Sequence, residues 1–371
     1  MASSALQSRL PRLAAAVQAG IDQNLHPGVQ VYVSWRGEIV ADAAVGTAQP
    51  GQPLTADTVL PWLSAGKPVT AVAVLRHVAL GQIGLDDHVS RWLPDFAANG
   101  KETISIRHLL THTAGLQPID PGWPDRPWGE LLDRLYGCRV RHGGTVGATP
   151  GYDPVRTWFL LAAILEAVTG RSFAACITEP STSPPLLDAD AFPYLSIDFA
   201  RRAWDRLGAM HQCDLSVCVP IDGPVNQVTA YASPGSSFRG PARSLGRFYE
   251  RLLADRRDGS GGLLPQALAI DMTSRQREGE FDLTFQHRLD FGLGVMIDSN
   301  RYGADTVPYG FGRHCTPETF GHGGSQSSIA FADPAEDLVL VLIANGQPGE
   351  PRHQQRHREL ASAVYIDLGL A

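Results

Sequence analysis

Four side chains of this chain have the types and spacing to break an ester or amide bond. Ser64 and Lys67 stand three residues apart in Leu63-Ser64-Ala65-Gly66-Lys67, and a helix would put hydroxyl and ammonium on one face. A buried lysine can be pushed toward neutrality, whereas arginine keeps its proton. Only 2 of the 31 basic residues are lysines, Lys67 and Lys101, so a lysine kept where arginine is the rule marks a candidate for proton transfer. The plain alternative is a chance lysine in a first helical turn, because S-x-x-K is a short pattern. Tyr152, in Thr149-Pro150-Gly151-Tyr152-Asp153-Pro154, and His322, in His322-Gly323-Gly324-Ser325, add a phenol and an imidazole. A serine nucleophile needs a base and an oxyanion hole. The glycines after His322 would let a backbone N–H come close to a ligand.

Each group needs an element to hold it. Leu63 to Gly81 (LSAGKPVTAVAVLRHVALG) predicts a helix with Ser64 at its mouth. Pro68 fits only near a helix start, and Gly81 is a suitable stop. The nearly unbroken apolar run from Val69 to Leu80 predicts burial. Ser64 would then lie at the positive end of the helix dipole, next to an amine shielded from water. Thr157 to Gly170 predicts an apolar helix just after Tyr152, and Gly324 to Phe331 a strand just after His322.

Around these, residues 5–24 pattern as one helix, and Val29 to Trp35 with Glu38 to Val45 as a hairpin turning at Arg36-Gly37. Phe291 to Ile297 patterns as a strand, Leu338 to Ala344 as the partner of the strand after His322, and Gln354 to Leu368 as a closing helix. Residues 176–192 read as loop. Strands cluster at both ends and helices fill the middle. The expected fold class is α/β (α+β): an antiparallel sheet flanked by the N- and C-terminal helices, with an inserted all-helical domain. The expected boundaries are residues 1–60 and 235–371 for the sheet domain and 61–234 for the helical one. The active site would occupy the cleft between them.

Composition excludes several classes. A net charge of −7 and a pI near 5.9 give no reason to expect a nucleic-acid or anionic-membrane partner. No apolar run approaches the ~18 residues that span a bilayer, and the N-terminus lacks a signal-peptide core. The five cysteines, Cys138, Cys176, Cys213, Cys218 and Cys315, are odd in number and scattered, which predicts reduced thiols. The expected location is therefore cytoplasmic. No cofactor motif is present, neither G-x-G-x-x-G nor a P-loop, and the absence of G-x-S-x-G disfavours an α/β-hydrolase elbow.

Other candidates are weaker. His108 with His112, and His353 with His357, are i, i+4 pairs, but both lack the acid of H-E-x-x-H, and the second lies on an Arg-rich helix that reads as solvated; no metal site is assigned. His112 reads as a brace for a turn. Trp123 and Trp128 fit either a pocket wall or a loop anchor. Tyr152 could be a packing aromatic at a helix entry, with Tyr136 in reserve, and His322 a structural histidine.

With these motifs, and with the flanks GLDDHVSRWLP, IRHLLTHTAGL, FGLGVMI and FGHGGSQSSIAFADPAEDLVLVLIANG, the chain resembles the serine β-lactamase and penicillin-binding-protein superfamily. It is most similar to the class C-like branch of esterases, D-amino peptidases and acyltransferases. That family carries S-x-x-K, Y-x-N and a K-T-G or H-x-G triplet in this order. The match covers most of residues 25–345 and is weakest over 176–235. The resemblance implies Ser64 as nucleophile, Lys67 as proton acceptor or shuttle, and Tyr152 as base with Lys67 and then acid. His322 would support Tyr152 or the substrate. It also implies an oxyanion hole from the N–H groups of Ser64 and Ser325. The candidate substrate contacts are Gly323 and Gly324 of the third motif, with Trp123 and Trp128 of the Pro- and Trp-rich loop.

Two departures shape the expected activity. Pro154 replaces the asparagine of Y-x-N and offers no side-chain amide to a substrate or to Lys67. His322-Gly323-Gly324 replaces a lysine triplet and so lacks a fixed cation. Both favour a less anionic substrate than a β-lactam. The expected function is a serine hydrolase cleaving an ester, thioester or amide of a small molecule through an acyl-Ser64 intermediate. The rival within enzymes is an acyltransferase passing the acyl group to a small-molecule alcohol or amine. The rival outside them is a non-catalytic binding protein of the same fold, for which Pro154 is the best argument.

Overall fold

A computed structural model describes residues 4–179, 184–221 and 227–371. Its fourteen described strands are β1 (Gly28–Trp35), β2 (Glu38–Gln49), β3 (Gln52–Pro53), β4 (Leu60–Pro61), β5 (His211–Cys213), β6 (Cys218–Pro220) and β7 (Arg239–Gly240), then β8 (Arg277–Asp282), β9 (His287–Phe291), β10 (Met296–Ile297), β11 (Phe320–Gly323), β12 (Ser328–Asp333), β13 (Leu338–Ala344) and β14 (Gly346–Gln347). Nine of them make one antiparallel sheet in the order β3-β2-β1-β13-β12-β11-β10-β9-β8. The chain's two ends thus meet at the β1–β13 ladder, with Val29 opposite Ala344 and Trp35 opposite Leu338.

Period-two alternation assigns the two faces. Val29, Val31 and Val33 of β1 pack with Leu338, Leu340 and Leu342 against α1 (Ser4–Arg9), α2 (Pro11–Asp22) and the closing helix α11 (Glu350–Asp367). The opposite face, with Tyr32, Val339, Val341 and Ile343, joins a core that includes α3 (Lys67–Ala79), α4 (Ile106–Leu110), α5 (Trp128–Gly137), α6 (Arg156–Thr169), α7 (Phe173–Thr178), α9 (Ala242–Asp258) and α10 (Gln266–Met272). A short α8 (Ile197–Ala203) sits in a third, smaller cluster. With both faces covered, β12 and β13 are buried at every residue, which is why they read as continuous apolar runs.

Several expectations are corrected. The first helix is two, because the chain bends at Leu10 before Pro11 opens α2. The strand expected over 291–297 is the end of β9, a turn, and the short β10. β8, REGEFD, carried no strand signal because charged side chains cover an edge. His322 lies inside β11, not before a strand at Gly324; residues 324–327 form the turn into β12. The loop expected over 176–192 begins as α7, and residues 180–183 lie outside the described residues. His353 and His357 are buried, because α11 turns that face onto the sheet. Finally, Cys213 and Cys218 form a disulfide. They are register partners of the β5–β6 pair, with Cα atoms 4.1 Å apart, and Cys138, Cys176 and Cys315 remain free. A hairpin brings together two thiols whose sequence spacing matched no common motif, so the argument from reduced thiols does not hold.

Candidate active site

The Ser64 loop is built by its neighbours on both sides. β4 pairs with β7, Trp62 N donates to Phe238 O at 2.8 Å, and Ser328 Oγ donates to Trp62 O at 2.5 Å. Leu63 then takes φ +52°, a left-handed conformation costly for a branched residue and retained where surroundings over-determine it. Residues 63–66 form a single tight turn before α3, with Pro68 in the first turn of that helix. Ser64 lies half-exposed at the mouth, while Lys67 to Leu75 are buried. A Cβ at Gly66 would stand 2.8 Å from the Phe238 ring, so a glycine is needed where the turn passes that ring.

Lys67 is fully buried, yet no carboxylate pairs with it among the described residues. Its Nζ lies 2.9 Å from Ser64 Oγ and donates to Pro154 O at 2.9 Å and Gly235 O at 2.7 Å. The Trp158 and Tyr152 rings flank it, with centroids 5.2 and 5.6 Å away. Burial pulls its pKa down to about 7, against a smaller opposite pull from the Asp153 carboxylate. The two carbonyls can only accept. A neutral amine, with two N–H groups, satisfies both and turns its lone pair toward the serine hydroxyl. Lys101, the other lysine, is also buried but bonded to Ala98 O, Tyr136 O and Cys138 O far from any hydroxyl nucleophile; it ties loops together.

Tyr152 is held by its backbone. Its N–H donates to both oxygens of Asp282 at 3.1 and 2.9 Å, and Thr284 Oγ1 donates to its carbonyl at 2.8 Å. Asp282 is itself fixed by the buried Arg277 at 2.8 Å. His112, with φ +58°, accepts from Asp153 N at 3.1 Å and packs its ring, tilted by 60°, 4.8 Å from that of Tyr152. It therefore braces the tyrosine loop, in keeping with its sequence reading. Asp153 Oδ1 caps α6 through Val155 N and Arg156 N. The Tyr152 hydroxyl contacts Ser64, and burial raises its pKa well above the ordinary phenol value, so it stays protonated. Asp282 and Thr284 are the contributors that sequence reasoning missed; they belong to a polar edge strand and its turn, where charge carries no special mark.

His322 is buried 5.8 Å, ring to ring, from Tyr152. Its Nδ1 lies 2.7 Å from Gly323 O; since a carbonyl only accepts, Nδ1 carries the proton and Nε2 offers a lone pair. No described group meets Nε2, and His322 lines the cleft. Burial, and then the nearby Lys67 charge, lower its pKa to about 3. The turn carrying Ser325 is pinned by Gly324 N to Ser328 O at 2.7 Å and by Ser327 Oγ to Ala344 O at 2.8 Å. A Cβ at Gly324 would lie 2.6 Å from Trp62 O, so glycine there lets this turn close on the Ser64 loop.

The resulting cleft encloses about 420 Å³ and is lined by Ser64, Tyr152, Pro154, His322, Gly323 and Ser325, and by Tyr309 and Glu350. Tyr309 and Glu350 were not anticipated. Trp123 lines an adjoining chamber. Trp128 instead packs on Phe159 and Tyr231 at 5.7 and 5.5 Å, as a loop anchor, and Gly324 lies behind the cleft surface. Pro154 does assist Lys67, through its main-chain carbonyl, a route the side-chain reading had not considered. The arrangement offers a hydroxyl nucleophile, an amine able to take its proton, a protonated phenol and a turn whose N–H groups border the same space.

A model of the family described as Beta-lactamase matches residues 13–365. Esterase EstB of Burkholderia gladioli is 30% identical, over 90% of each chain. Among solved structures, "EstCE1, a hydrolase with promiscuous acyltransferase activity" superposes with a TM-score of 0.80 at 24% identity, covering 98% of this chain and 100% of that one. Simvastatin synthase (LovD) from Aspergillus terreus superposes with a TM-score of 0.75 at 19% identity, covering 99% and 97%.

Proposed function

Because this chain belongs to the beta-lactamase family, we propose that it is a serine hydrolase or acyltransferase working through an ester formed on Ser64. In this reading neutral Lys67 takes the Ser64 proton as the oxygen attacks the substrate carbonyl. The N–H groups of Ser64 and Ser325 hold the oxyanion. Tyr152, kept protonated by its surroundings, relays a proton to the leaving oxygen or nitrogen, and the amine's proton refills the phenol. The acyl-Ser64 ester forms as the leaving group departs. Water, or an alcohol or amine, then attacks that ester, giving its proton back along the same route. Neutral His322 supplies a lone pair to the phenol or to a substrate donor.

The observation that carries this reading is the placement of Lys67: two carbonyls take its two N–H groups and leave its lone pair for Ser64. Pro154, the best argument for a silent binding protein, supports the amine through its main chain. The similarity to a relative named as an esterase favours an ester as donor. Transfer is favoured by the adjoining chamber, which meets the cleft at Tyr152 and gives room for an acceptor. Nitrophenol release from p-nitrophenyl butyrate, with and without small alcohols and amines, tests both. Release that depends on Ser64 is expected, and acylated acceptor in the product mixture would assign transfer. Release equal in Ser64→Ala would remove the proposal. Among the described residues no helix is long and apolar enough to cross a membrane.

A further inference from the structure

The adjoining chamber has a chemistry of its own. It encloses about 690 Å³, with Pro118, Ile119, Trp123 and Val155 as apolar wall and Arg141 among its polar groups. It shares Tyr152, Pro154 and Thr284 with the Ser64 cleft, so one substrate can occupy both, with the phenol at the junction.

The two spaces differ in charge. Among the described residues lining the Ser64 cleft, Glu350 is the one formal charge at neutral pH and no arginine or lysine appears. The adjoining chamber is lined by Asp120, Arg141, Asp153 and Arg156. Asp153 and Arg156 pair with each other at 2.9 Å. Asp120 is exposed and accepts from Gly122 N. Arg141 is different. Its Nε donates to Leu116 O at 3.3 Å, and neither terminal nitrogen has a hydrogen-bond acceptor or a carboxylate partner among the described residues. Nη2 stands beside the residue before Tyr152, 3.7 Å from where a Cβ on Gly151 would be. The backbone around it is fixed: Arg141 N donates to Gly115 O at 2.8 Å, Gln117 N donates to Arg139 O at 2.7 Å, and Leu116 bridges Val140. The guanidinium lines the same chamber as proline, isoleucine and tryptophan side chains, and its terminal nitrogens are open to an incoming anion. Its planar fork matches a carboxylate bidentately.

We propose that Arg141 is a specificity residue: it binds a carboxylate on the arm of the substrate that enters the adjoining chamber, while the arm in the Ser64 cleft is uncharged or cationic. This rests on the acyl-Ser64 reading and names its substrate class, a monoester of a dicarboxylic acid or an ester of a carboxylate-bearing alcohol. The absence of a fixed cation at His322 and the presence of one at Arg141 then belong together, since the anion site has moved to the other side of the phenol.

Two probe pairs test it. In the first, p-nitrophenyl hydrogen glutarate is compared with p-nitrophenyl butyrate, which places the carboxylate on the acyl arm. In the second, 4-carboxyphenyl butyrate is compared with phenyl butyrate, which places it on the other arm. For one pair, the anionic-to-neutral ratio of kcat/KM should exceed unity by about tenfold or more, the scale of a charge-assisted hydrogen-bonded pair. Arg141→Gln should lower that ratio about tenfold, and Arg141→Lys should lower it less. A ratio near unity for both pairs, or a ratio that Arg141→Gln leaves in place, overturns the proposal. Circular dichroism of each variant separates misfolding from lost recognition. The Ser64→Ala control keeps the two readings apart: Ser64-dependent turnover of p-nitrophenyl butyrate without anion discrimination sinks this inference alone.

Discussion

If Lys67 is the base, the rate of acylation must follow its deprotonation. An ordinary lysine, with a pKa of 10.5, would be neutral in only about one molecule in 3,000 at pH 7. Burial brings Lys67 to about 7, so roughly half the molecules carry the free amine there, a gain of about three orders of magnitude in working base. Between pH 6 and pH 8 the neutral fraction climbs from roughly one-tenth to nine-tenths, so kcat/KM should rise about tenfold, with a midpoint near 7. The sign is set by the group: the proton must be absent, so activity appears above the pKa and is lost below it. Neighbouring groups leave that window clear. His322 is held to about 3 and His112 well below its usual value by burial, so both are already neutral at pH 6. Tyr152 is pushed upward and keeps its proton at pH 8. Initial rates with p-nitrophenyl butyrate, read at the isosbestic wavelength of nitrophenol, give the profile directly. Lys67→Arg keeps the charge but cannot release it, and should lower kcat/KM by ~10³-fold or more with no rising limb near 7. A flat or falling profile between pH 6 and 8 in the wild type would refute the reasoning, as would near wild-type turnover in Lys67→Arg.

Other consequences follow from the same geometry. Tyr152→Phe should slow acylation by ~10²-fold or more with a smaller change in KM, the scale of a lost proton-transfer group; rates within a few-fold of wild type would reassign that role. Pro154→Asn should retain activity within a few-fold, because the carbonyl that Lys67 uses belongs to the main chain; loss of activity with native circular dichroism would show that the ring itself matters. Asp282→Ala strips the buried Arg277 of its partner and Tyr152 N of its acceptor, so urea unfolding should register a loss of about 3–5 kcal/mol. Cys213→Ser with Cys218→Ser opens a small loop away from the cleft and should cost about 2 kcal/mol while leaving kcat unaltered; a fall in kcat would tie that hairpin to the site.

Much of the fold was legible because strong local signals agreed with one another. The apolar alternation of β1 and the continuous apolar runs of β12 and β13 report burial on a sheet, and Gly170, at φ +67°, closes α6 where expected. Lys67 stood out as a lysine in an arginine-rich chain, whereas Ser64, Tyr152 and His322 were legible as an ordered set of motifs with matching flanks, and the fold brings these four side chains together. Asp282 and Thr284 were not, because their effect is to hold a backbone 130 residues away in sequence, and nothing local marks that. Pro154 misled for a related reason. Side-chain reasoning asks what proline lacks, whereas the fold uses the carbonyl that every residue has. His353 and His357 looked solvated among arginines, yet Arg356 between them is buried and donates to Leu25 O, Gly346 O and Gln326 O. Charge alone does not reveal which face of a helix meets the sheet.

The most direct test is to catch the ester itself. The protein is mixed with p-nitrophenyl butyrate for a short time, quenched in acid, digested and mapped by mass spectrometry. One butyryl group on the peptide that contains Ser64, absent in Ser64→Ala and strongly reduced in Lys67→Arg, is the predicted result. Turnover with no covalent adduct, or an adduct on Ser325 or Ser327 instead, would contradict the account.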